Sequence, residues 1–447
     1  MRAFLNFCRL FVGSLFIVSG LIKANDTLGF SYKLEEYFAE TALNLPFLEP
    51  FALALAGLAC LAEIVLGFAV LFGGKMKLAT WSLLILTVFF GWLTAYTATC
   101  DPQATFTVVE NGMEIQKGVT CVTDCGCFGD AMKGSIGRSL TPWESFSKDM
   151  VLLVFILPMF FFRNRITWNS DVDDKTLLPL GLILVAFFSW VFTWYFPVLF
   201  FVIGVAGYLA VKKFMLSDKA EWISAGWITL ISLLLMNYTY NHLPLRDYRP
   251  YAIGKNLPGQ MVIPEGEQPD LYETVLVYRN KDTGEEKEFS STDYPWDNPV
   301  WEWVSTENKL IKRGFTPPIT DLSLFDQDGV DVTESVLSAD QPVLWFVSYD
   351  ISKASISDSE RINALVQEAY DNGMYVYGIS SSGHEDTERF RHEHGLQFDY
   401  LNCDGIVLKT IIRSNPGLVV LNGGTVIGKW SEGDMPTYSD MKEATGL

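Results

Sequence analysis

Residues 51–72 read FALALAGLACLAEIVLGFAVLF, an unbroken apolar run whose one ionisable side chain is Glu63. A helix needs roughly 20 such residues to cross about 30 Å of hydrocarbon. The stretch therefore predicts a membrane-spanning helix. Similar runs lie at about residues 3–22, 78–98, 149–163, 176–196, 197–214 and 222–240. Together they predict an α-helical polytopic membrane bundle of about seven spans. The fourth run is short, and the fifth and sixth are parted only by Phe196-Pro197, so six spans with a re-entrant segment is the competing count. Arg2 ahead of the first run resembles the start of a signal peptide, but no small-x-small cleavage site follows. Lys23, Asn25 and Asp26 instead end that run as a helix exit.

Basic residues near span ends set orientation. Lys75 and Lys77 follow the second run, Arg163 and Arg165 the fourth, and Lys212, Lys213 and Lys219 the sixth. With seven spans these loops share one side, joined by Arg2 and Arg9, and the rule makes that side cytoplasmic. The N-terminus is then cytoplasmic, and the loops at about 23–50 and 99–148 face outward. Everything after residue 240 faces outward too, which predicts a periplasmic domain on an inner (cytoplasmic) membrane protein.

The second half is a different kind of sequence. Residues 241–447 carry 17 Lys/Arg against 34 Asp/Glu, so most of the net charge of −19 sits there. Such a surface repels phosphate backbones and anionic headgroups, which argues against nucleic-acid binding. The stretch Asp26–Glu49 mixes aromatic and charged residues as an interfacial amphipathic helix does. Residues 243–317 form a connector, with a hairpin expected at Glu273–Asn280 and Glu285–Ser290 around Asp282-Thr283-Gly284. Beyond Pro317-Pro318, strands at Pro342–Ser348, Met374–Ser380 and Phe398–Leu401 alternate with helices at Ser357–Asp371, Glu385–His394 and Gly405–Arg413. A closing hairpin, Gly417–Leu421 with Thr425–Trp430, completes a soluble α/β domain over 318–447.

Several motifs resemble known families. Ser19-Gly20-Leu21-Ile22-Lys23 with Gly29-Phe30, Glu63-Ile64-Val65-Leu66-Gly67, and Asp124-Cys125-Gly126-Cys127-Phe128-Gly129-Asp130 resemble DoxX/MauE-type membrane proteins over about residues 1–165. Residues 166–242 read as additional transmembrane helices. Residues about 318–435 resemble a thioredoxin-like domain, carried by Arg413-Ser414-Asn415-Pro416-Gly417-Leu418-Val419-Val420-Leu421. That resemblance implies a cis Asn415–Pro416 bond shaping a groove for extended polypeptide. One departure bears on chemistry: after the first strand, where a thioredoxin carries C-x-x-C, the chain reads Tyr349-Asp350-Ile351-Ser352-Lys353. The domain lacks dithiol chemistry of its own. The whole resembles the fused DoxX–thioredoxin-like proteins of Bacteroidetes-type bacteria, and the MauE likeness implies disulfide-rich envelope partners.

Four of the seven cysteines, Cys100, Cys121, Cys125 and Cys127, fall within one outward segment. Disulfides persist outside the cytoplasm. Cys100 and Cys121 are spaced to pair around a polar loop holding Asn111-Gly112. A bond between Cys125 and Cys127 would close a cramped ring, and strained disulfides are the more readily reduced ones. That makes the pair a candidate catalytic redox site, set against two purely structural bridges or a metal site. The C-x₃-C-x-C spacing is not a standard zinc pattern, and no metal is assigned. Asp124 and Asp130 suit turn capping. Glu63 lies mid-span, where a carboxylate is expensive and turns inward, with Lys23 as its possible partner. Cys8, Cys60 and Cys403 read as packing residues, and His384, His392 and His394 as a solvated helix face.

Three functions fit. The first is a membrane protein supporting thiol/disulfide redox or maturation of envelope proteins, its soluble domain binding clients. The second is a non-enzymatic anchor or scaffold of an envelope assembly. The third, implied by the DoxX resemblance alone, is a quinone-linked oxidoreductase subunit, with quinone as the possible cofactor. Whether the chain is an enzyme stays open among them.

Overall fold

The computed structural model describes residues 1–447 except 102–103, 111–112, 123–125, 127, 133–137, 216–218, 313 and 357; at 108–110, 113–115 and 129–130 it describes the backbone alone. Two compact units can be distinguished. One comprises Met1–Arg249 with Ile412–Gly417 and Trp430–Met435, the other Pro250–Ile411, Leu418–Lys429 and Pro436–Leu447.

The first unit is helical: α1 (Arg2–Asn25), α2 (Thr27–Phe38), α3 (Ala52–Phe72), α4 (Met76–Thr99), α5 (Pro142–Phe161), α6 (Asp171–Val191), α7 (Phe196–Phe214) and α8 (Lys219–Asn241). Among the described residues six segments are long and apolar enough to cross a membrane: Arg2–Asn25, Pro46–Phe72, Met76–Thr99, Asp171–Val191, Phe196–Phe214 and Lys219–Asn241. These are six of the about seven spans expected; the run at 149–163 is not among them. The fourth apolar run belongs to α5, which starts at Pro142 and takes Glu144, Lys148 and Asp149 into its first half. A capping box fixes that early start: Thr141 accepts from Glu144 N–H while the Glu144 carboxylate accepts from Thr141 N–H. Pro142 at the first helical position needs no N–H partner there.

Helix α1 is central, with Val12, Ile17, Val18 and Leu21 all fully buried. It lies close along α3 because the crossing is built on glycines. A Cβ on Gly20 would sit 2.7 Å from Ile64 Cγ1, and one on Gly67 only 2.8 Å from the Gly13 carbonyl oxygen. In lipid, helix association depends on such close packing rather than on hydrophobic burial. Arg9 is also buried here. Its guanidinium donates to the Val70 and Leu71 carbonyls, both at 2.9 Å, and to Asn169 Oδ1 at 2.6 Å. It thus satisfies the open carbonyls at the end of α3, a use of this charge that orientation counting does not foresee.

Within Asp26–Glu49 the regular helix ends at Phe38, and a 3-10 turn follows at Pro46–Phe51. Between α4 and α5 stand two antiparallel strands, β1 (Thr105–Glu110) and β2 (Met113–Gly118), running from Thr105 opposite Gly118 to Glu110 opposite Met113. The Asn111-Gly112 tip lies outside the described residues.

The second unit holds two sheets. In one, β3 (Leu271–Asn280) pairs antiparallel with β4 (Glu286–Ser290) and with β5 (Trp301–Lys312). The other contains β6 (Val343–Val347), β7 (Tyr375–Ser380), β8 (Tyr400–Asn402), β9 (Gly417–Asn422) and β10 (Thr425–Ser431), in the order β10-β9-β6-β7-β8. Strands β6, β7 and β8 are parallel. Every residue of β6 is buried, as an inner strand covered on both faces requires. Helices at Ser359–Asp371, His384–His394 and Gly405–Ile411 alternate with these strands. The chain from Pro250 joins this unit as a strap: Gly254 N–H donates to the Val426 carbonyl at 2.7 Å and Leu257 N–H to that of Gly424 at 2.8 Å.

Candidate functional site

The polar residues of the helical unit gather inside it. Lys23, in the last turn of α1, pairs with Glu63 of α3, and both side chains are 4% exposed. The lysine also donates to Ser19 Oγ at 3.3 Å and lies 4.9 Å from the centre of the Phe90 ring. The second carboxylate oxygen of Glu63, Oε2, is buried without a hydrogen-bond partner among the described residues, as is Thr87 Oγ1 of α4. Both residues line a cavity of about 20 Å³ that also meets Ser19, Lys148 and Asp149.

Lys148 and Asp149 come from the charged first half of α5. They pair at 2.9 Å, with Asp149 almost fully buried. Thr94 Oγ1 donates to Asp149 at 3.1 Å, and Lys148 lies 5.0 Å from the centre of the Phe128 ring. Sequence reading passed over this pair, because residues just ahead of an apolar run look water-facing. The signal that could have found it is the Thr141-Pro142-Trp143-Glu144 cap, which sets Lys148 and Asp149 inside the helix.

Lys23 and Phe128 also line a second, larger cavity of about 110 Å³. Its walls include Asp26, Lys33, Arg246, Arg249 and Arg413. Arg249 is held by Asp247 at 2.7 Å, Arg413 by Asp26 at 2.9 Å, and Lys33 by Glu36 at 2.9 Å. Asp26, Asp247 and Arg413 all belong to the helical unit. Burial pushes the Asp26 carboxyl up, but the neighbouring Arg413 and Arg249 charges and the Gly29 N–H outweigh it, leaving it below the usual carboxylate range.

Of the cysteine-rich segment, Cys100 and Cys121 are disulfide-bonded, with Cα atoms 5.8 Å apart. Cys125, Cys127 and Asp124 lie outside the described residues, as does the Asp130 side chain. Gly126 is described. It has a left-handed φ of +63° and lines the larger cavity, where a Cβ would come 3.3 Å from Lys33 Cγ. Cys8 and Cys60 are fully buried.

In the second unit, Asp350 caps a short turn at Ile351–Lys353 by accepting from Ser352 N–H at 3.1 Å. A cleft of about 510 Å³ beside it is lined by Asp350, Ser352, Asp386, Arg389, Glu393 and His394. Cys403 is buried, and that burial, with Asp404 adding to it, pushes its thiol up to about 12. In the Ile412–Gly417 segment of the first unit, Asn415–Pro416 is cis. Ser414 Oγ donates to the Pro416 carbonyl at 2.5 Å and accepts from Glu432 N–H at 3.0 Å.

Residues 1–104 match the family model described as methylamine utilisation protein MauE. That match and the apolar helices support a membrane protein associated with the bilayer that is similar to MauE over its first 104 residues. Residues 272–313, which contain β3, β4 and β5, match a domain of unknown function. No curated protein and no solved structure matches the chain.

Proposed function

We propose that this chain is an inner-membrane protein that supports disulfide chemistry or maturation of envelope proteins, with Cys125 and Cys127 as its exchanging pair. The observation that carries the reading is the Cys100–Cys121 bridge. It closes four residues before Cys125, and a segment that keeps one disulfide lies where a second can form. The MauE match, and its printed link to methylamine utilisation, agrees with a maturation role. In the exchange, a client thiolate attacks one sulfur of the Cys125–Cys127 disulfide and expels the other as thiolate. The client's second thiolate then resolves the mixed disulfide. The client leaves oxidised, the pair is left reduced, and the client's two thiol protons are balanced by those taken up at Cys125 and Cys127.

Residues 318–447 would be the thioredoxin-like client-binding lobe. The strand order β10-β9-β6-β7-β8, with β6, β7 and β8 parallel, supports this. The N-terminus would be cytoplasmic and this lobe periplasmic. That needs α5 as a seventh crossing: its 20 residues reach about 30 Å, and Lys148 and Asp149 turn inward rather than to lipid.

A non-enzymatic scaffold is the second reading. It is favoured by Tyr349–Lys353 standing where a dithiol would be and by the buried, unreactive Cys403. A quinone-linked subunit is the third, and the cavity beside Glu63 has room for about one water rather than a quinone ring. Trapping thiols in living cells with an alkylating reagent, in wild type and in Cys125→Ser and Cys127→Ser variants, separates the first two. The exchange reading expects an oxidised pair that client thiols convert to the reduced form, and unoxidised client in both variants. A pair that never changes state leaves the scaffold.

A further inference from the structure

We propose that the cavity between α1, α3, α4 and α5 is an intramembrane proton-holding site in which Glu63 takes up and releases the proton through one bound water. Two ion pairs from three helices, Lys23–Glu63 and Lys148–Asp149, line a single cavity of about 20 Å³. A water needs roughly 10–15 Å³ of centre volume and two to four polar partners. The cavity supplies both. Glu63 Oε2 and Thr87 Oγ1, of two residues that line it, are buried and have no hydrogen-bond partner among the described residues. A buried carboxylate oxygen left open in this way costs free energy that a water recovers. Packing alone does not account for the arrangement, because apolar residues of similar size would hold three helices together at least as well as two buried ion pairs.

The charged and titratable groups around Glu63 are Lys23 from α1, Lys148 and Asp149 from α5, and Cys60 on α3 itself; α4 contributes the uncharged Thr87. With both pairs ionised, the four charged groups sum to zero. Uptake of one proton turns the Glu63 carboxylate into the neutral acid and brings the set to +1; release restores zero. The route in from water is also present. Lys23 and Phe128 line both this cavity and the larger polar one, so the Lys23 ammonium stands at the boundary between them. Proton uptake from that side passes the Lys23–Glu63 contact, and Thr87 and the bound water hold the acid form. This site does not depend on the thiol reading and stands if that reading fails.

The test is infrared spectroscopy of the purified full chain in lipid nanodiscs, following the protonated-carboxyl C=O band as pH is lowered in D₂O. The wild-type minus Glu63→Gln difference should leave one titrating band, shifted when the same difference is taken in the Asp149→Asn background. Thr87→Val, which keeps the volume and removes the hydroxyl, should shift the same band while the helical content stays that of wild type. This variant carries the test if Glu63→Gln does not fold. A Glu63 that stays ionised wherever the protein is folded, or a titrating band unmoved in Thr87→Val, would leave the pair purely structural and overturn the proposal.

Discussion

Lys23 and Glu63 meet inside the helical unit, one from the last turn of α1 and the other from the middle of α3, with both side chains almost fully buried. Gly20 brings them together. A Cβ there would lie 3.0 Å from Glu63 Cβ, so the α1 backbone approaches α3 at the level where the lysine reaches across.

Removing one partner should therefore hurt more than removing both. Lys23→Met leaves an uncompensated buried carboxylate and should cost about 3–5 kcal/mol. Lys23→Met with Glu63→Leu replaces the pair by apolar contact and should recover most of that loss. Unfolding midpoints in detergent, compared across the two singles and the double, give the coupling. Equal loss in all three would mean that the pair adds nothing as a pair.

The helix crossing makes a steric prediction. Gly67→Val places branched carbon where the Gly13 carbonyl already stands 2.8 Å from a Cβ. Overpacking of this kind costs about 1–3 kcal/mol, and more where backbone must move. The variant should show a lowered midpoint and lower yield in membranes. Gly226→Ala, where a Cβ meets nothing within 4 Å, serves as the tolerated control.

Much of the α/β lobe is legible because its strands are buried on both faces. Val343–Val347 and Gly417–Asn422 read as apolar runs and fold as strands within a residue or so of the expected ends. Strand β5 was missed for the opposite reason. Residues 301–312 put Glu302, Glu307 and Lys309 among aromatics, leave most side chains exposed and carry register shifts against β3, so no clean alternation survives. The helix Tyr438–Thr445 was also unforeseen, although Thr437 and Asp440 form its capping box. In the site, Glu63 stands out because a lone charge in 22 apolar residues has few explanations. Lys148 and Asp149 do not stand out, since only the packing of α5 against α4 turns them inward.

The bridge between Cys100 and Cys121 closes a segment 21 residues apart in sequence. On the chain-entropy account a loop of that length contributes about 3 kcal/mol. Cys100→Ser with Cys121→Ser should lower the unfolding midpoint and make the β1–β2 hairpin a protease target. Reductant should produce the same change in wild type and none in the double variant. Unchanged protease sensitivity would show that the hairpin holds without its bridge.

Asp26 gives the pH prediction. Its folded carboxyl lies below the ordinary range because Arg413 and Arg249 outweigh the burial. A depressed carboxyl contributes stability that is complete above the unfolded value of about 4 and is lost as pH falls through the folded value. Asp26→Asn keeps an N-cap acceptor for Gly29 but removes the charge facing Arg413. It should be less stable than wild type at neutral pH, by about 1–2 kcal/mol for a hydrogen-bonded charge. The gap should begin to narrow as pH falls below about 4 and close as pH passes the folded value, measured by thermal unfolding at fixed ionic strength. A gap that closed nearer neutrality would put the Asp26 carboxyl above, not below, its ordinary range.

Cys403 should be chemically silent while the chain is folded. Its thiol is 1% exposed and pushed up to about 12, so at pH 8 almost no thiolate forms and no reagent reaches it. Brief alkylation of native protein, followed by peptide mass mapping, should find Cys403 unmodified. After denaturation in urea the same reagent should label it fully. Its neighbours predict the same result: Cys403 N–H donates to the Ser380 carbonyl at 3.0 Å, which ties the residue to the end of β7, so exposing the thiol requires opening the sheet edge. Labelling of Cys403 in the native state, at a rate near that of a free thiol, would instead make it a site for transient mixed disulfides and would give the α/β lobe a thiol role after all.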